Sequence, residues 1–371
     1  MNLPLFKAIA ILPFITAFFL AFISIPSVIK IASYFGLVDD PANRPHPAHT
    51  ETRVIPRAGG LALLFGVVIS TLVFIPFTKG LLGIILGAVL LVFVGLWDDK
   101  EDVHPYIRFG ANILSALLVV LGGVGITYIT NPLGNQVIHF DQIRWNFTWF
   151  GQHSILPLAD IIAIIWIAWT ENIVGWSGGV DGQMPGFVVV AALVIGLLSF
   201  NQLNPENFPI WTGTTLAFIT AGAYLGFLPW NFFPQKIMPG YGGKSLAGFL
   251  LGTLSILTSA KFGTALLVLG IPMIDALYVL ITRVLSRNDP TKGGRSHLHH
   301  RLLDAGWSKR RVALFYWIVS VILGTVALNI NAKQKFFTVL VVAAILFGFI
   351  LWLKLSTIFL RKSDHDNGSK I

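Results

Sequence analysis

What most constrains this chain is a succession of apolar runs too long and too poor in charge for a soluble core. Residues 81–96 are all aliphatic or small apart from Phe93, and 113–124 carry no charge. Roughly 20 apolar residues cross a bilayer as a helix. Such runs fall at 8–31, 59–77, 81–97, 109–129, 157–174, 185–200, 213–229, 245–259, 262–283, 312–330 and 335–358, with 81–97, 185–200 and 245–259 the short ones. The expected fold class is an all-α integral membrane protein of about eleven transmembrane helices. Composition agrees: only 12% of the 371 residues are charged, about half the share of a soluble domain. No small-residue cleavage site follows the first run, so it reads as a span and not a signal peptide. The absence of cysteine excludes disulfides and thiolate chemistry.

The basic residues give the expected orientation. The stretch 286–311 holds Arg287, Lys292, Arg295, Arg301, Lys309, Arg310 and Arg311 against Asp289 and Asp304, and 31–58 adds Arg44, Arg53 and Arg57. By the positive-inside bias these loops face the cytoplasm. An eleven-span arrangement puts Asp98, Asp181, Tyr241 and the C-terminus on that side as well. The formal charge of +9 is then concentrated on one face, where it attracts anionic lipid or phosphate. Nucleic acid is excluded as a partner because no soluble domain presents the charge. One polytopic domain is expected over 1–360, with a polar disordered tail at 361–371 and a small extracytoplasmic β-hairpin pairing 137–140 with 143–145 around Asp141-Gln142.

The short polar stretches between the runs carry the chemistry. Trp97-Asp98-Asp99-Lys100-Glu101-Asp102 reads as an acidic loop at a helix mouth, where two adjacent carboxylates are costly to desolvate and mark function or the water interface. The 31–58 loop holds Arg44 and His46 among Pro41, Pro45, Pro47 and Pro56, which rule out a helix; it suits a phosphate or serves as a positive-inside stop. In 171–183, glycines and the polar pair Asn172 and Asp181 form either a ligand loop or an interhelical turn with Asp181 capping the next helix. Gly242-Gly243-Lys244-Ser245 opens an apolar helix, but position 238 is Met and no strand precedes it, so a nucleotide-hydrolase loop is excluded. Its amides still suit an anion. Three histidines in four residues, His297, His299 and His300, followed by Arg301, favour a metal or a diphosphate over a merely solvated loop. Asp275, inside an apolar run, is expected to face protein.

In order, Asp39-x-Pro41, Arg44-x-His46, Pro56-Arg57-x-Gly59-Gly60, Asp98-Asp99, Asn172 with Gly179-Val180-Asp181-Gly182, Gly226-Phe227-Leu228 with Asn231 and Pro234, Pro272-x-x-Asp275 and His297-x-His299-His300-Arg301 resemble the polyprenyl-phosphate N-acetylhexosamine-1-phosphate transferase superfamily. That superfamily is glycosyltransferase family 4, with pentapeptide and GlcNAc-1-phosphate branches. The resemblance implies that a UDP-sugar gives its sugar-1-phosphate to undecaprenyl phosphate in a bacterial plasma membrane, with Mg²⁺ or Mn²⁺ as cofactor, in an enzyme that dimerises. It implies that Asp98 orients or deprotonates the lipid phosphate, that Asp99 supports it, and that Asp181 lines the nucleotide pocket. It places Arg44, His46, Asn172, Asn231, Lys244, Arg295, His297, His299, His300 and Arg301 against substrate, and Asp99, Asp181 and Asn172 on the metal. The sequence departs from the pattern at Gly175 and Gly178, where the family has Asn and Asp, and at Tyr241, where the family has a metal-binding Asp; Gly294 also stands for an Asp. Three outcomes follow: a metal site rebuilt from the remaining carboxylates, Lys244 and the basic loop standing in for part of the metal's charge, or a relative that binds lipid phosphate or nucleotide sugar without transfer. A transporter is disfavoured, since the polar groups lie in loops on one face.

Overall fold

A computed structural model describes residues 3–42, 50–134, 136–148, 152–203, 208–258, 261–287 and 294–368. The chain is overwhelmingly helical. After α1 (Leu3–Phe6), a π-helical turn (Lys7–Ile11) and α2 (Leu12–Phe35), a two-residue ladder pairs β1 (Val38–Asp39) with β2 (Ile55–Pro56). Helices α3 (Gly59–Phe74), α4 (Lys79–Glu101) and α5 (Pro105–Leu121) follow, then strands β3 (Tyr128–Thr130), β4 (Val137–His139), β5 (Trp145–Thr148) and β6 (Gln152–Ile155). The second half comprises α6 (Pro157–Trp176), α7 (Gln183–Phe200), α8 (Phe208–Asn231), α9 (Gly240–Leu257), α10 (Lys261–Val268), α11 (Gly270–Leu285), the short α12 (Leu298–Asp304), α13 (Lys309–Asn329) and α14 (Ala332–Gly368).

Six helices among the described residues are long and apolar enough to cross a bilayer: Leu3–Phe35, Lys79–Glu101, Pro157–Trp176, Gln183–Phe200, Lys309–Asn329 and Ala332–Leu353. The pair α10–α11, bent by 83° at its break, makes seven if it is one span. The expected eleven is therefore not reached on this measure. The reason is length in part: α3 and α5 have 16 and 17 residues, or about 25 Å at 1.5 Å per residue, short of a hydrocarbon core of about 30 Å.

Helix starts follow local rules. Thr78 caps α4 by accepting from the Leu81 N–H at 3.1 Å, and Pro105 begins α5 after a His104 cap. The bundle core places α2 against α3 and α8, α7 against α8 and α13, and α9 against α4 and α6. Small residues set these distances. A Cβ on Gly95 of α4 would overlap the N and Cα of Gly242 in α9.

Two local expectations are corrected. The stretch 97–102 is not a loop. Helix α4 runs through Asp98 and Asp99 to Glu101 and stops where Asp102 turns left-handed at φ 53°, because nothing before Pro105 breaks it. The single hairpin around Asp141-Gln142 is replaced by two. Strand β4 pairs back to β3, with Val137 opposite Thr130, and β5 pairs with β6. Asn131-Pro132-Leu133-Gly134 supplies the first turn: the Asn131 side chain accepts from the Leu133 N–H at 2.9 Å, and this Asx turn outcompetes Asp141-Gln142.

Candidate functional site

Three polar clusters meet where α3, α4, α6, α9 and α12 begin or end. The first is built on the last turn of α4. Asp98 and Asp99 are each only 2% exposed, and each carboxylate holds a different arginine. Arg108 in the first turn of α5 lies 3.2 Å from Asp98, and Arg57 lies 3.1 Å from Asp99. Arg57 also reaches Asp39 at 3.1 Å, so the β1–β2 ladder is tied to the end of α4. Backbone amides complete the set: Val103 N–H donates to Asp98 and Tyr241 N–H to Asp99, both at 3.1 Å. Gly240 has a φ of +67°, and a Cβ there would overlap the Asp99 carboxylate and the Arg57 carbonyl. Only glycine lets α9 start against both.

The second cluster surrounds Asp181, at the turn between α6 and α7. Lys309, at the start of α13, lies 3.4 Å from Asp181 and also pairs with Glu51. Glu51 in turn holds Arg53 at 3.1 Å. Gln235 donates its amide to Asp181 at 3.1 Å. Burial works against ionisation of Glu51, but its hydrogen bond and charge pairing with Lys309, then Arg53, outweigh this and hold it below the usual carboxylate range. For Asp181 burial, reinforced by the negative charge of Glu51, outweighs Lys309, and its pKa is raised. Asn231 accepts from Gly182 N–H at 3.0 Å and donates to Gln235 and to the Ile237 carbonyl. It fastens the 231–237 segment. A cavity of about 370 Å³ opens beside this cluster, lined by residues including Thr50, Arg53, Phe233 and Lys309.

The third cluster is the histidine turn. His297 Nδ1 lies 2.9 Å from Asp275, whose other oxygen accepts from Leu298 N–H at 2.7 Å. Asp275 thus faces protein and sets the entry to α12. The His297 and His299 rings stack at 5.8 Å, and His299 and His300 sit 4.2 Å apart. Arg301 donates to the Ser296 carbonyl and lies over Tyr278, while Arg295 pairs with Asp304 at 2.6 Å. Gly178 and Gly179 join this cluster to Lys244. A Cβ on Gly178 would sit 3.1 Å from Lys244 Cε, and one on Gly179 would overlap the His299 ring. Burial, then the charges of His300, His297 and Lys244, push the His299 pKa well below its usual value. Unfolded chain binds a proton near pH 6.5 that folded chain rejects, so stability falls as pH drops below about 6.5, by about 1.4 kcal/mol per pH unit. Thermal denaturation between pH 7.5 and 5.5 is expected to show this slope in wild type and to lose it in His299→Gln.

The sequence candidates thus separate into these clusters. Asp98 and Asp99 belong to the first; Asp181 and Asn231 to the second; His297, His299, His300, Arg295 and Arg301 to the third, with Lys244 beside it across Gly178. Arg44 and His46 lie outside the described residues. Asn172 is the penultimate turn of α6, not a loop residue, and its amide donates to the Ala168 carbonyl at 2.7 Å. No three His, Asp or Glu side chains among the described residues gather as a metal cage. The Asp98–Asp99 pair still suits Mg²⁺ of the kind that takes one or two carboxylates together with substrate phosphates. Sequence reasoning passed over Arg108, Lys309, Gln235, Asn112 and Glu171 as functional residues. Asn112 and Glu171 carried a signal, being polar positions inside apolar helices.

Fold and clusters define a multi-pass membrane protein with paired buried charges gathered at its helix ends. Residues 81–259, which contain both Asp98–Asp99 and Asp181, match glycosyl transferase family 4. The chain is 26% identical over 339 residues to a probable undecaprenyl-phosphate N-acetylglucosaminyl 1-phosphate transferase of Bacillus subtilis (strain 168), covering 90% of this chain and 88% of that protein. It is 28% identical over 376 residues to decaprenyl-phosphate N-acetylglucosaminephosphotransferase of Mycobacterium leprae (strain TN), covering 90% and 89%. It is also 28% identical over 333 residues to phospho-N-acetylmuramoyl-pentapeptide-transferase of Limosilactobacillus reuteri (strain DSM 20016), covering 86% and 97%. The chain is thus similar to glycosyl transferase family 4 over residues 81–259, and to these transferases along most of its length.

Proposed function

We propose that the protein transfers a sugar-1-phosphate, of N-acetylhexosamine type, from a UDP-sugar to undecaprenyl or another polyprenyl phosphate. The products are a polyprenyl-diphosphate sugar and UMP, for cell-wall or surface-polysaccharide synthesis. The observation that carries this reading is the pair of adjacent buried carboxylates, each held by its own arginine, inside the region shared with the transferases. Phosphoryl transfer asks a protein chiefly for positioning and charge. In this reading Asp98 takes or orients the lipid-phosphate proton, while Arg108 and Arg57, held in place by the aspartates, offer positive charge and their remaining N–H donors to phosphoryl oxygens. The histidine turn and Lys244 line the diphosphate, and the Asp181 cavity takes the nucleoside. Asp98 and Asp99 would hold Mg²⁺ or Mn²⁺, which would supply charge neutralisation for the substrate phosphates. The clusters face the cytoplasm, and the protein works as a homodimer.

The test is UMP release by purified protein from UDP-GlcNAc, undecaprenyl phosphate and Mg²⁺, with a chelator control and other UDP-sugars in parallel. Binding of either substrate without UMP from any UDP-sugar would assign a non-catalytic relative instead. Within this assay Lys309→Met has a defined outcome. It leaves Asp181 and Glu51 facing each other without their shared cation, so KM for the nucleotide sugar rises about tenfold, while KM for the lipid changes less than threefold. Equal changes in both KM values would remove Asp181 from the nucleotide pocket.

A further inference from the structure

A carboxylic acid inside an apolar helix is costly unless it has a task. Glu171 lies in α6 at 1% exposure, and its two partners are neutral. Ser115 Oγ lies 2.8 Å from Oε1. The Asn112 amide satisfies both its ends in one orientation, with Nδ2 donating to Glu171 Oε2 at 2.9 Å and to the Tyr241 hydroxyl at 2.8 Å, and Oδ1 accepting from Asn172 at 3.2 Å. The Tyr241 hydroxyl then donates to the Arg108 carbonyl at 3.3 Å. Tyr241 is the junction. Its backbone N–H is on Asp99, and its ring lies under the Arg108 guanidinium, 5.6 Å from the centroid. Arg108 pairs with Asp98.

We propose, resting on the transferase reading above, that Glu171 is a positioning residue for the Asp98–Asp99 centre and acts through Asn112 and Tyr241. It touches no reacting atom. Its carboxyl fixes the Asn112 amide, the amide fixes the Tyr241 ring, and the ring fixes where Arg108 and the start of α9 stand against the two carboxylates. Hydrogen-bond pattern matters here and negative charge does not. An amide at position 171 reproduces the pattern, accepting from Asn112 and donating to Ser115, whose own proton has the Asn112 backbone carbonyl 2.8 Å away.

Wild type, Glu171→Gln, Glu171→Leu, Tyr241→Phe and the Leu/Phe double variant of the full chain decide this in the UMP-release assay. Expected are kcat within about threefold of wild type for Glu171→Gln, and a kcat loss of about tenfold for Glu171→Leu with KM for the nucleotide sugar unchanged. Tyr241→Phe should match that loss, and the double variant should be no worse than either single one, because both cut the same chain of contacts. A Glu171→Leu protein with full kcat, a Glu171→Gln protein as inactive as one lacking Asp98, or additive losses in the double variant would overturn the proposal. Quenching of tryptophan fluorescence by undecaprenyl phosphate puts the same question without turnover. Binding weakened by Leu and kept by Gln supports the positioning role, and equal binding by all variants overturns it. This binding pattern across the variants, with no UMP released by wild type, would overturn the transferase reading alone.

Discussion

Asp98→Asn should lower kcat for UMP release by about 10²–10⁴-fold, the range that a positioned acid–base group supplies, with little change in fold. The substitution keeps the shape and one oxygen for the Val103 N–H and Arg108. It removes the charge and most of the basicity. Because Asp98 is buried against Arg108 at 3.2 Å, the loss also leaves a guanidinium without its counter-ion, and a modest destabilisation accompanies it. Circular dichroism and thermal denaturation separate the two effects. An Asp98→Asn protein with normal melting and near-normal kcat would remove Asp98 from the chemistry and point to Asp99 instead.

The second large effect is structural. Gly95→Ala places a methyl group into the backbone of α9 at Gly242, where no side chain can rotate away. Overpacking a tight contact typically costs 1–3 kcal/mol, and here one helix must move off another, so the upper end or beyond is expected. The displacement carries Tyr241 with it, whose N–H lies on Asp99 at 3.1 Å. The melting midpoint should therefore drop by several degrees, and kcat should fall at temperatures where the protein is still folded. Gly110→Ala is the control. A Cβ there meets nothing within 4 Å, and alanine suits a helix interior better than glycine, so stability should hold or rise. Equal behaviour of the two variants would show that the α4–α9 contact is not tight.

Much of this was legible in the sequence because one physical rule dominates it. Uncharged runs name the helices, and polar residues gather at their ends. What the runs cannot tell is where a helix stops when no breaker follows. Asp98 and Asp99 therefore read as loop residues although they complete α4, and Asn172 likewise belongs to α6. Span number suffers for the same reason: hydropathy over 59–77 and 109–129 does not reveal that α3 and α5 end early. The strand pairing failed on turn chemistry, with Asn131-Pro132 stronger than Asp141-Gln142. The ion pairs were out of reach, since Arg57 and Asp99, or Glu51 and Lys309, are far apart in the chain and only tertiary packing brings them together. Histidine density and the Asp98–Asp99 pair were visible because local spacing alone makes them unusual.

The ladder Asp39–Arg57–Asp99 and its neighbour Asp98–Arg108 carry a consequence for how such a protein drifts. Arg57, just after β2, holds Asp39 of β1 and Asp99 of α4, and Arg108 of α5 holds Asp98 of α4. A change at either end strands a charge in a place with little water, so neither partner is free to vary by itself. A chain that drifts at this face must do so around the pairs or exchange both members together.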